Sequence, residues 1–219
     1  MFFFPHPDCA DENGLVAVGG DFSPSLMVHA YSRGIFPWPI PEADFIPWFS
    51  PRSRAVIDIS RSSVSRSIQR SVRSSAYSIT ANTCFEKVVA LCATCDDRSD
   101  PNSTWITEDL KKGYLNLYNL GLAYSIEAWS EGMLVGGLFG ITIGGFVNGE
   151  SMFSLESGGS KACLFHAIEV CKKCAIPYFD VQVMSEHLRL FGAKEIPQKK
   201  FLDFMDRSLT IAPSFIKNL

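Results

Sequence analysis

The chain has 219 residues, 47% of them apolar and 20% charged, which allows one large domain or two small ones and excludes intrinsic disorder. A formal net charge of −3 excludes a bulk polycation but not a local one, because a sum hides its distribution. Arg52, Arg54, Arg61, Arg66, Arg70 and Arg73 share a lysine-free stretch with a single acid, Asp58; that stretch carries a formal +5 and leaves −8 for the rest.

The first fifty residues are dense in proline, glycine and aromatics. One helix is predicted over 24–33, with Ser23 as cap, Pro24 at the first helical position and Gly34 at the exit. Residues 62–74 read as an amphipathic helix: Val64, Ile68 and Val72 recur every fourth position, while Arg66, Arg70 and Arg73 share another face. Thr107, followed by Glu108 and Asp109, opens a helix that runs to residue 120, where Gly121 ends it. Strands follow at 123–129, 134–142 and 145–153, with Glu131-Gly132 and Gly144-Gly145 as turns. A helix over 160–174, a strand over 178–183 and a short helix over 185–191, closed by Gly192, complete the series. This order indicates an α+β fold around a mixed or antiparallel sheet. The expected division, near residues 51–57, separates a small N-terminal domain (1–54) from a larger one (55–219).

The longest greasy run, 133–147, has 15 residues and five glycines, short of the ~20 apolar residues of a membrane span. Met1-Phe2-Phe3-Phe4 is stopped by Pro5 and Pro7 and lacks a basic flank, so no secretion signal is expected and a cytoplasmic location follows. Cys92-x-x-Cys95 and Cys171-x-x-Cys174 imitate zinc half-sites, but more than 70 residues separate them and both fall in apolar helical patterns. Buried thiols are expected rather than a metal site.

The strand Phe179-Asp180-Val181-Gln182-Val183 places two polar residues two positions apart, and strict alternation would aim both at one face of the sheet. Three features favour a functional reading over a bland edge strand. Ser185-Glu186-His187 opens a helix directly after the strand, Glu150-Ser151 interrupts an apolar segment, and Ser160-Lys161 begins a helix whose amides favour an anion. Val135-Gly136-Gly137-Leu138-Phe139-Gly140 matches no phosphate-loop pattern and lies within a strand, where glycine marks a bulge or the close approach of another backbone. Trp38, Trp48 and Phe49 lie in proline-bounded loops and Trp105 precedes a helix; each alone reads as core. Beside the arginine face they suit the stacking of unpaired bases, so RNA is an expected partner.

These motifs join into one ordered set. Gly14-Leu15-Val16-Ala17-Val18-Gly19-Gly20-Asp21, Tyr31-Ser32-Arg33-Gly34-Ile35-Phe36-Pro37-Trp38 and Trp48-Phe49-Ser50-Pro51 are followed by Thr104-Trp105-Ile106-Thr107 and Leu134-Val135-Gly136-Gly137-Leu138. Gly149-Glu150-Ser151-Met152-Phe153-Ser154, Asp180-Val181-Gln182-Val183, His187-Leu188 and Gly192-Ala193-Lys194-Glu195-Ile196-Pro197 complete it. Over about residues 14–201 the chain resembles the leucyl/phenylalanyl-tRNA–protein transferase family.

The resemblance implies a small N-terminal domain joined to a domain of the GCN5-related acetyltransferase type. It implies transfer of Leu, Phe or, less well, Met from aminoacyl-tRNA to an N-terminal Arg or Lys of a protein, marking it for the N-degron pathway, with no metal or cofactor. By resemblance, Asp180 and Gln182 promote attack, Glu150 holds the cationic acceptor terminus, and Trp38 and Trp105 grip the terminal adenosine of the tRNA. The apolar donor pocket carries over to Leu138, Val147, Leu164, Ala167 and Phe179, and Arg66, Arg70 and Arg73 are assigned to the tRNA backbone. Val147 and Ala167 are smaller than the family's aromatics and Phe179 is larger, Val181 replaces a cysteine, and Gln198 stands where arginine often follows Ile-Pro. Two alternatives stand beside this reading: an acetyl-CoA-dependent N-acetyltransferase, for which Ser157-Gly158-Gly159-Ser160 is a faint pyrophosphate loop, and a non-catalytic RNA-binding module.

Overall fold

The computed structural model describes every residue except 1, 41–42, 61–63, 96–103 and 213, and all but the side chain at 95. Arg61, one of the six clustered arginines, and the side chain of Cys95 lie outside the described residues. In chain order the elements are β1 (Leu15–Val18), α1 (Pro24–Tyr31), β2 (Phe36–Pro37), β3 (Pro47–Phe49), β4 (Ser53–Asp58), α2 (Arg66–Ser74), β5 (Ser78–Ala81), α3 (Phe85–Cys95) and α4 (Glu108–Asn119). The second half comprises β6 (Ala123–Ser130), β7 (Met133–Ile143), β8 (Phe146–Val147), β9 (Ser151–Ser154), α5 (Gly159–Lys173), β10 (Tyr178–Gln182), α6 (Glu186–Arg189), β11 (Ala193–Pro197) and α7 (Gln198–Ser208).

The helix boundaries follow their caps. Thr107 accepts the amide of Leu110, Ser65 that of Ile68, and Ser185 that of Leu188, each satisfying a donor that its helix leaves unpaired. Ser23 caps α1 by position only; its own amide is held by Asp21 instead. The amphipathic reading of α2 agrees with its burial, since Ile68 is in the core while Arg66, Arg70 and Arg73 are exposed.

Three sheets result. β1, β3 and β2 form the N-terminal sheet; β4 lies between β10 and β11; and β5, β6, β7 and β8 run in order, with β9 paired to β7. All named ladders are antiparallel. One parallel bridge, Asn148 to Asp180, joins the second and third sheets, and the Gly149 amide donates to the Asp180 carbonyl at 2.9 Å. The fold is therefore α+β, as expected, and β4 spans the expected division after Arg54.

Helices α5 and α2 cover one side of the larger sheet around Ile57, Ile126, Leu164 and Ile168, while α3 and α4 cover the other with the N-terminal segment. Trp48 is fully buried in that second core with Phe4, Phe85 and Leu110, which settles it as a packing residue. Cys92, Cys163 and Cys171 are likewise buried in helices. The glycines of β7 serve close packing: a Cβ at Gly136 would overlap the backbone of Gly159 at the start of α5.

The single strand expected over 145–153 is two strands, β8 and β9. Asn148 causes the break. Its side-chain oxygen takes the Ile141 amide at 2.7 Å and its carbonyl accepts the Tyr124 hydroxyl at 2.6 Å, so the Asn148 and Glu150 amides still donate to β7 while the Gly149 amide turns to β10.

Candidate functional site

The site forms where β8 and β10 meet and then diverge. Glu150 lies just past the bridge on one side and Gln182 on the other, and the Gln182 side-chain amide donates to Glu150 Oε1 at 3.2 Å. Strict alternation fails here. The register against β4 shifts between Asp180 and Gln182, and Gln182 adopts a left-handed φ of +52°. The expectation that Asp180 and Gln182 share a face is thus corrected: a bulge sends Gln182 to the cavity and Asp180 into the core.

Asp180 is fully buried, and its partner is Arg54, itself 1% exposed. Arg54 Nε donates to Oδ1 at 2.8 Å and Nη2 to Oδ2 at 2.7 Å, the planar fork that suits a carboxylate. The formal +5 of the 52–73 stretch is therefore not all surface charge. Arg54 is an interior residue, and Arg52 is engaged with the Ala10 carbonyl. Asp180 Oδ1 also accepts the backbone amide of Gln182 at 3.1 Å, so the two residues interact through the main chain rather than through the Gln182 carboxamide.

Glu150 is half-buried under four polar groups. Tyr114 donates to Oε2 at 2.7 Å, Asn148 to Oε1 at 2.6 Å, and Tyr31 lies 3.3 Å from the Tyr114 hydroxyl. Burial pushes the Glu150 carboxyl up to about 7, against hydrogen bonds from Tyr114, Tyr31 and Asn148 that favour the anion. Burial, with Glu150 next, raises the phenols of Tyr31 and Tyr114 well above their usual range, so both remain donors.

A cavity of about 350 Å³ opens on this pair, walled by Phe36, Trp38, Trp105, Met152, Val181 and Met184 among others. Trp38 is 40% exposed, and its ring centroid lies 6.3 Å from that of Trp105 at an interplanar angle of 50°. A larger groove of about 790 Å³, beside Asp21, Phe45 and Lys112, is lined by neither Glu150 nor Gln182, so size does not decide the site. The five donor-pocket residues, Leu138, Val147, Leu164, Ala167 and Phe179, all lie in one core cluster at 0% exposure, and none lines the smaller cavity. Gly149 lies against the Phe179 ring, where an added Cβ would come within 3.0 Å.

The geometry therefore unites Glu150, Gln182, Trp38 and Trp105, holds Asp180 behind them and leaves Arg66, Arg70 and Arg73 on a separate exposed helix face. Tyr31, Tyr114, Asn148 and Arg54 were missed by sequence reasoning. Only Arg54 left a local signal, as a cation alternating into the apolar strand Arg54-Ala55-Val56-Ile57. His187 sits in α6 with Nε2 buried and without a hydrogen-bond partner among the described residues; burial, then Lys161, lowers its pKa.

Ser151 and Ser185 line the cavity, the Ser185 hydroxyl oxygen accepting the Leu188 amide, and among the described residues no group of His, Cys, Asp and Glu could hold a metal ion. A carboxylate, a carboxamide and two aromatic rings thus face one cavity.

The profile described as leucyl/phenylalanyl-tRNA protein transferase matches residues 56–206, and that of its N-terminal domain matches residues 20–52. A leucyl/phenylalanyl-tRNA–protein transferase of Anaeromyxobacter sp. (strain K) is 41% identical over 94% of this chain and 88% of its own. One of Legionella pneumophila (strain Corby) is 37% identical over 95% and 92%. Solved structures with a similar course include L-PGS from Bacillus licheniformis, with a TM-score of 0.44 at 10% identity over 84% of this chain and 70% of that one. The chain belongs to the leucyl/phenylalanyl-tRNA–protein transferase family, and it is an aminoacyltransferase. Among the described residues no helix is long and apolar enough to cross a membrane.

Proposed function

We propose that the protein transfers Leu or Phe, and less efficiently Met, from aminoacyl-tRNA to the N-terminal Arg or Lys of acceptor proteins in the cytoplasm, tagging them for the N-degron pathway. The observation that carries this reading is the convergence of Glu150, Gln182, Trp38 and Trp105 on one cavity in a chain of this family.

The donor ester is already activated by its tRNA. An α-amine has a pKa near 8, so on the order of a tenth is neutral at pH 7 and little base strength is needed. Glu150 faces the cavity as an anion above pH 7 and suits the cationic acceptor terminus. The Gln182 carboxamide donates to Glu150 from its nitrogen, which frees its oxygen to orient the amine. Attack forms the C–N bond, breaks the ester C–O bond and passes a nitrogen proton to the departing ribose oxygen. Asp180 acts behind Gln182, through the backbone amide it accepts. No cofactor or metal takes part in this scheme.

Trp38 and Trp105 offer ring faces for the terminal adenosine; their 50° tilt favours stacking on one ring at a time. The buried cluster of Leu138, Val147, Leu164, Ala167 and Phe179 adjoins Gly149, and we assign the donor side chain to this side of the site. Residues 1–54 supply Trp38 to the 3′-end site and Tyr31 to the hydrogen bonds around Glu150, and residues 55–219 supply Glu150, Asp180 and Gln182. Arg66, Arg70 and Arg73 face solvent together and suit the tRNA backbone.

One comparison tests the reading: purified protein with charged leucyl-tRNA and an Arg-initiated peptide, against the same mixture with acetyl-CoA. Leucylation without acetylation is expected; acetylation alone overturns the proposal.

A further inference from the structure

We propose that Arg54 is a positioning residue of the transfer reaction: by gripping Asp180 it holds the backbone bulge that aims Gln182 at the acceptor amine. The proposal rests on the role given to Gln182 above.

Arg54 does not itself line the cavity, yet it holds groups that do or that support them. Besides its fork on Asp180, its Nη1 donates to the Gly34 carbonyl at 3.2 Å. Its guanidinium carbon lies 4.7 Å from the Phe36 ring centroid and 4.5 Å from that of Phe201 on α7, within cation–π range of both. The approach of α7 requires glycine at position 34, which has a φ of +71° and where a Cβ would meet Leu202 at 2.9 Å and Phe201 at 3.0 Å. One buried cation thus ties the segment leading to Trp38, the C-terminal helix and the strand that carries Gln182.

Stability alone does not account for such a pair, because well-packed apolar residues commonly replace a buried ion pair without loss. Its position does. Asp180 is the bridge point between two sheets, and its Oδ1 is shared between Arg54 and the Gln182 amide. Gln182 is a non-glycine residue at φ +52°, a conformation that persists where its surroundings over-determine it. Arg54 fixes the carboxylate, the carboxylate fixes the bulge, and the bulge delivers the Gln182 side chain to Glu150. Lysine, a point charge without the fork, holds one oxygen at most in this geometry.

The test uses the full-length protein in steady-state leucyl transfer to an Arg-initiated peptide, with thermal unfolding as the check on folding. Gln182→Ala is measured first and is expected to lose kcat. Arg54→Lys is then expected to lower kcat by about 10–100-fold, as a misplacement of about 1 Å does, while the KM for leucyl-tRNA stays within about threefold. Asp180→Asn and Asp180→Asn with Arg54→Met, which leave no unpaired buried carboxylate, are expected to agree in kcat within about threefold, because the guanidinium acts through the carboxylate. A folded Arg54→Lys enzyme with wild-type kcat overturns the assignment. So does a further loss of about tenfold or more when Arg54→Met is added to Asp180→Asn. Full activity of Gln182→Ala removes the underlying reading of Gln182, and the Arg54 proposal with it; an inactive Gln182→Ala beside a fully active Arg54→Lys removes the Arg54 proposal alone.

Discussion

The Tyr114 hydroxyl donates to the Glu150 carboxylate at 2.7 Å, and the two residues come from a helix and a strand break 36 positions apart. With Asn148 and Gln182 on the other oxygen, the carboxylate is supported as an anion although burial lifts its pKa to about 7. Transfer is therefore expected to show an acid limb centred near pH 7 in kcat/KM for the Arg-peptide, and Tyr114→Phe, which removes one donor to the anion, is expected to move it upward. The stability term has the opposite sense. A carboxyl raised in the folded state from 4.5 to about 7 makes folding more favourable at low pH, and that contribution is lost as the pH rises through about 7. A pH–rate profile of both enzymes decides; an unmoved limb in Tyr114→Phe assigns it to another group.

Asp180→Ala is expected to unfold at lower temperature, because it strands the Arg54 charge in the core, at a cost of about 3–5 kcal/mol. Asp180→Asn keeps the shape and one acceptor oxygen and is expected to lose less. Calorimetry of the two variants checks this. An Asp180→Ala protein with wild-type stability would show that water reaches Arg54.

Trp38 is exposed, so trimming it disturbs the core little, whereas the half-buried Trp105 also packs on the core. If each stacks against the terminal adenosine, alanine is expected to weaken aminoacyl-tRNA binding by about 1–3 kcal/mol, with the thermal midpoint nearly unchanged in Trp38→Ala. Filter binding of leucyl-tRNA measures it, and retained affinity in both variants would take the adenosine off these rings.

Arg66→Glu with Arg70→Glu is expected to lower tRNA affinity and to flatten its dependence on salt, since fewer counterions are released. Binding titrations at several salt concentrations give the slope. An unchanged slope returns α2 to an ordinary solvated face.

Gly136→Ala is expected to destabilise the fold by about 1–3 kcal/mol, the usual range for forcing extra volume into a packed interior. The added methyl group would enter the Gly159 backbone. Urea unfolding measures the loss.

What could be read from the sequence was local. Thr107 and Ser185 announced helix starts because a cap bonds within its own turn, and Val64, Ile68 and Val72 announced the face of α2, though not its start at Arg66, because helical periodicity is written in adjacent residues. Of the site residues, Glu150, Asp180 and Gln182 stood out as polar interruptions of apolar strands, Trp38 as an aromatic in a proline-bounded loop and Trp105 as one just before a helix. Tertiary structure alone decided how they act. Arg54 meets Asp180 across 126 residues, Tyr31 reaches Tyr114 across 83, and a bulge after Asp180 overturns strict alternation. Such relationships depend on which strands lie side by side, and no spacing within either segment encodes them. The arginine-rich stretch shows the difference most plainly. Composition made its arginines equivalent, whereas the fold buried Arg54 behind the reacting residues and left Arg66, Arg70 and Arg73 in water, because the strand and the helix that carry them face opposite solvents, the core and the bulk.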